Sequence, residues 1–163
     1  MNRRHLVGAL GAAAFAADRD RFPGVYKLLS CERKAKDGSV SYPYGEHPVG
    51  RITYDKAGRM SAQLMRPGRK QTTATTPGSS TTFRSASVED LREAISGFIA
   101  YFGTFDVDPS ARVVTHHVQG CLVPSWVGVD LKRSYEFSGE KRLVLSAGSA
   151  DASTRLVWER EPD

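Results

Sequence analysis

Between Val129 and Phe137 the chain alternates without a break. Val129, Leu131, Arg133, Tyr135 and Phe137 fall on one face, and Asp130, Lys132, Ser134 and Glu136 on the other. A period of two is that of a half-buried strand, so the first set is the inward one. Shorter runs over Val25–Arg33, Val49–Tyr54, Met60–Met65, Thr104–Val107 and Arg112–Gln119 read the same way. So do the stretch holding Leu143 and Leu145 and the one holding Leu156 and Trp158. Cys121–Val127 is a further strand candidate, with Pro124 marking an edge or a bulge. Turn residues punctuate these runs at Asp37-Gly38, Asp55 to Gly58, Asp108 to Ala111 and Ser138-Gly139-Glu140,. Gln71 to Thr82, rich in Thr, Ser, Gly and Pro, has no period and reads as a surface loop. One segment changes period. Leu91, Ala94, Ile95, Phe98 and Ile99 recur at helical spacing behind Ser87, an N-cap with Asp90 three residues on,. That spacing predicts a helix over Ser87–Ala100, packed as a lid or plug on one end or side of a sheet.

Many short strands, tight turns and one inserted helix define an all-β chain. About eight to ten strands in a meander lose their exposed edges most simply by closing, so the expected fold is an antiparallel up-and-down barrel. Eight strands enclose room for side chains or for one small ligand. A length of 163 residues is one domain, and 40% hydrophobic with 25% charged residues is globular composition,. The net charge of +5 comes from scattered Lys and Arg, which points to a solvated basic surface and not to a nucleic-acid partner. The two cysteines, Cys31 and Cys121, form no CxxC and exclude a structural zinc site. A disulfide and two buried thiols both remain open.

The N-terminus has the order of an export signal: the basic stub Asn2-Arg3-Arg4-His5, an apolar run from Leu6 to Ala17, and Ala14-Phe15-Ala16 before charged residues,. The paired arginines followed by Leu6 and Val7 resemble a twin-arginine signal. We therefore expect residues 1–17 to be a signal peptide, the barrel to span 22–161, and the protein to be periplasmic or secreted. The alternative is a cytoplasmic chain with a loose N-terminus. No segment is long and apolar enough for a stable helical membrane span.

Several pieces carry a resemblance. Tyr42-Pro43-Tyr44-Gly45, Gly58-Arg59-Met60-Ser61, Tyr101-Phe102-Gly103-Thr104 and Thr115-His116-His117 are similar to the lipocalin-like domain family over about Phe22 to Glu161. Gly24-Val25-Tyr26-Lys27-Leu28 resembles the Gly-x-Trp-x-Leu opening of such barrels, with Tyr26 where Trp is usual. The resemblance implies the barrel and transfers no catalytic motif.

Arg133 is the first candidate for a functional role. A buried guanidinium calls for a carboxylate, a stacked aromatic at the barrel's closed end, or an anionic group on a ligand. His116 shares its face with Val114 and Val118, while His117 points the other way, so the two cannot line one cavity. An inward imidazole can bond a ligand, act as general base, ligate a haem iron, or simply bond a neighbouring strand or tyrosine. Tyr135, Trp126, Tyr54 and Gln63 complete the candidate lining, although Met60, Ala62 and Leu64 form the rival inward set on the strand of Gln63. There is no GxSxG elbow, HExxH or phosphate-cradling loop. The leading expectation is a binding barrel holding a small apolar or aromatic molecule, with neither metal nor cofactor. One alternative is a small barrel enzyme, an isomerase, cyclase or hydrolase of a natural product, using His116 as acid/base and Arg133 to stabilise negative charge. Another is a haem or chromophore carrier with His116 or His117 as axial ligand.

Overall fold

The computed structural model describes residues 18–70, 86–149 and 151–162. Nine strands follow in chain order: β1 (Gly24–Lys34), β2 (Val40–Ser41), β3 (Val49–Tyr54), β4 (Arg59–Met65), β5 (Phe98–Asp108), β6 (Val113–Cys121), β7 (Asp130–Ser138), β8 (Arg142–Gly148) and β9 (Ser153–Arg160). From β3 onward each pairs antiparallel with the next, β3 also pairs with β1, and β9 returns to β1 from Tyr26↔Arg160 to Lys34↔Ser153. Eight strands thus close into a barrel. The two-residue β2 hangs on the end of β1. The expected signal peptide and the Gln71–Thr82 loop lie outside the described residues.

Alternation decides what fills the barrel. On β4, Met60, Ala62 and Leu64 are buried. On β5, Ile99, Tyr101, Gly103 and Phe105 point in, while Phe102 stands 57% exposed outside. One end is sealed by aromatic rings. Phe22, just before β1, is fully buried and lies edge-on to Tyr54, Tyr135 and Phe137 at centroid distances of 5.2, 5.0 and 5.0 Å. Tyr26 donates from its hydroxyl to the Phe22 carbonyl at 3.0 Å. Arg160, brought beside Tyr26 by the β1–β9 closure, lies 4.6 Å from the Tyr26 ring centroid and donates to the Pro23 carbonyl at 2.6 Å. This is the structural arginine stacked on an aromatic that sequence had offered for Arg133, and it is a different residue.

Two elements differ from expectation. The helix, α1, is Val88–Ile95 and not Ser87–Ala100. Ser87 caps it as predicted, its hydroxyl accepting from Asp90 N at 3.0 Å. Gly97, at φ 71°, then turns the chain, and Phe98 and Ile99 open β5,. None of the helix is buried, and none of it lines the interior. It is a side attachment, tied down by Arg69 donating to the Ala94 carbonyl at 2.6 Å, and not a plug. Cys121–Val127 is not one strand: β6 stops at Cys121, and Pro124–Trp126 forms a 3-10 turn. Proline at the start of such a turn needs no amide hydrogen.

Candidate functional site

The aromatic plug fills one half of the barrel; the other half holds a cavity of about 410 Å³. Ile52, Leu64, Ile99, Leu145 and Leu156 form its walls, and Tyr44 and Trp126 border it from the loops beyond β2 and β6. Its size and apolar lining are those of a small-molecule pocket. A few polar groups are set into this lining. Arg133 enters from β7, His116 from β6, Tyr101 from β5, Trp158 from β9 and Arg33 from the far end of β1.

His116 is 1% exposed and fixed at both ring nitrogens. Its Nε2 lies 2.8 Å from the Tyr54 hydroxyl and its Nδ1 lies 3.1 Å from that of Tyr101. A neutral imidazole has one N–H and one bare nitrogen, so one tyrosine accepts and the other donates. Burial, with the Arg133 guanidinium and then His117 adding to it, pushes His116 down to about 3. The ring is therefore uncharged at neutral pH. Burial also pushes Tyr101 up to about 12, against the opposing charge of Arg133. Neither group is poised as a base near pH 7.

Arg133 lies on the inward face of β7, half-buried. Its guanidinium donates to the Lys132 carbonyl at 2.9 Å, and no carboxylate pairs with it among the described residues. Trp158 is 1% exposed, and its indole Nε1–H is the one buried side-chain nitrogen or oxygen among the described residues without a hydrogen-bond partner.

Of the six residues sequence singled out, Arg133, His116 and Trp126 meet at the cavity. Tyr54 is fully buried behind His116 and touches the site through it. Tyr135 lies away from the cavity in the closed end, where its hydroxyl donates to Asp18 Oδ2 at 2.6 Å. Gln63 lies on the outer face of β4 in a surface groove with Arg51 and Phe98, the side left to it by the rival inward set of Met60, Ala62 and Leu64. Sequence reasoning missed Tyr101, Trp158 and Arg33. For Trp158 the signal was present, as its strand already showed Leu156 and Trp158 on one face.

His117 is outside, as the parity of β6 requires. Its Nδ1 lies 2.6 Å from Asp130 Oδ1 and its Nε2 3.0 Å from Asp106 Oδ2, clipping β6 to β7 and to β5. Those two carboxylates raise its pKa. Because the folded pKa is above the unfolded one, the clip's stabilisation is complete below about pH 6.5 and fades as pH rises through the folded value. His117→Ala is expected to cost under about 1 kcal/mol, because the site is solvated. The cost should be greater at pH 6 than at pH 9, as read by urea unfolding at both. With His117 outside and both nitrogens of His116 taken by tyrosines, neither histidine offers the cavity a free nitrogen, so these residues do not fit an axially held haem.

No curated protein matches the chain. Among solved structures, a de novo designed fluorescence-activating β-barrel is 10% identical, covering 87% of this chain and 95% of its own, with a TM-score of 0.41. A biogenic amine-binding protein, as its selenomethionine derivative, is 13% identical, covering 89% and 67%, with a TM-score of 0.42. Both likenesses are too remote to carry a ligand across. The family profile of the lipocalin-like domain, in contrast, matches residues 23–161, nearly all of the described barrel, and this chain belongs to that family.

Proposed function

We propose that this protein binds one small, largely apolar or aromatic molecule in the open half of its barrel. The observation that carries the reading is the cavity of about 410 Å³, walled by aliphatic side chains and backed by a sealed aromatic end. Holding is favoured over catalysis by His116, which is depressed to about 3 and bonded at both nitrogens. A general base works best with a pKa near the working pH. A native mass spectrum of protein purified from its own cells tests the reading. We expect one non-covalent adduct per chain, released unchanged in denaturing solvent. A bare chain that also takes up no apolar probe contradicts the reading, and an adduct recovered chemically altered favours the enzyme.

Export is part of the same proposal and is supported by the sequence of residues 1–17. N-terminal sequencing of the protein from its native cell should find a start near Ala17 or Asp18. An intact Met1 or Asn2 in the cytoplasm contradicts it.

A further inference from the structure

The polar groups of the cavity are unbalanced in one direction. Arg133 can only donate hydrogen bonds, and the nearby phenol–imidazole chain of Tyr54, His116 and Tyr101 carries three donor hydrogens and uses two of them in its own bonds,. Arg33 adds a second cation at the far end of β1. No Asp or Glu borders the cavity among the described residues, and every acidic side chain of the sequence except Asp163 is among them. Residues 1–17 and 71–85 contain none, so those segments have no carboxylate side chain to bring to Arg133. An inward guanidinium without an anionic partner and a buried N–H without an acceptor are both costly. The Trp158 indole N–H is sealed from the cavity, but an anionic group on a ligand relieves the first,.

We infer that the ligand is an amphipathic anion, an apolar body ending in a carboxylate or a similarly compact acid, with the acid held by the Arg133 guanidinium on the inward face of β7. This rests on the lumen-binding reading and narrows it. A guanidinium binds such oxygens with two parallel hydrogen bonds, and the apolar surroundings strengthen the attraction. A cationic amine of the same shape meets like charge and brings no acceptor for the guanidinium. A neutral alcohol satisfies one donor and leaves the arginine unpaired.

The chain's two tryptophans, Trp126 and Trp158, both border the cavity, so intrinsic fluorescence reports on it directly. In the Trp126→Phe protein Trp158 is the sole reporter. That protein should be titrated with decanoate, decanol and decylamine, which share a chain and differ in head-group charge. We expect decanoate to bind roughly ten- to a hundredfold more tightly than decanol, and decylamine to bind most weakly. Adding Arg133→Met should erase the advantage of decanoate and leave decanol unchanged. Equal affinities, or a preference for decanol or decylamine, overturn the anion and leave lumen binding standing. Failure of all three probes to bind overturns both. The head-group series needs no Arg133 variant, so it decides the matter even if Arg133→Met does not fold.

Discussion

Replacing Phe22 with alanine is expected to destabilise the barrel by about 3–5 kcal/mol, the usual cost of removing a buried aromatic ring. Phe22 is not in a strand, yet it is wholly buried, with the rings of Tyr54, Tyr135 and Phe137 edge-on to it and Phe105 5.9 Å away. Its loss removes the centre of a five-ring cluster and opens the sealed end. Neighbours held on three different strands, β3, β5 and β7, cannot collapse into the space. For a chain of this size the melting midpoint should fall by roughly ten degrees. A loss under about 1 kcal/mol in urea unfolding would mean that the closed end is not sealed by this ring.

Acidification is the second large effect, and His116 is its source. Folding lowers the His116 pKa from 6.5 to about 3. The unfolded chain therefore takes up a proton near pH 6.5 that the folded chain refuses until about pH 3. Stability is complete above 6.5 and falls as pH drops between the two values, by on the order of 4 kcal/mol at the lower end. Surface carboxylates such as Asp55 and Glu159, whose pKa values are lowered in the fold, lose their contributions over the lower part of that range. His116→Gln separates the two: it keeps a polar partner for the tyrosines and cannot titrate. The variant should be less stable than the native protein at pH 7.5 and show a much flatter decline between pH 6.5 and 4. Parallel declines in the two proteins would contradict a buried neutral imidazole.

Residue types explain how much of this was legible in the sequence. Strand β7 was clear because its outward residues are Asp130, Lys132, Ser134 and Glu136, which leave no doubt about which face is wet. Strand β5 was obscured because Phe102 is apolar and faces out, so the alternation of Ile99, Tyr101, Gly103 and Phe105 did not stand clear of its background. Phe98 and Ile99 also continue the helical spacing of Leu91 and Ile95. Only the left-handed backbone at Gly97 separates the two elements. Parity along β6 and β7 placed His116 inside, His117 outside and Arg133 inward. Parity says nothing of depth, and depth put Tyr135 in the sealed end, two residues from an arginine at the cavity. Arg160 was invisible as the closing arginine because its partner, Tyr26, lies at the other end of the chain and meets it only through β1–β9 pairing. Trp158 read as core, which it is. Its missing acceptor became apparent only once the neighbouring strands were in place.

The lumen as the binding site is tested most directly by an isotope-filtered nuclear Overhauser spectrum of the labelled protein with unlabelled decanoate. Cross-peaks are predicted from the probe's methylenes to the side chains of Ile52, Leu145 and Leu156 and to the indole of Trp158, all of which border the same cavity. Cross-peaks confined to outward residues such as Phe102 and Val49, with the Trp158 indole resonance unmoved, would contradict the account.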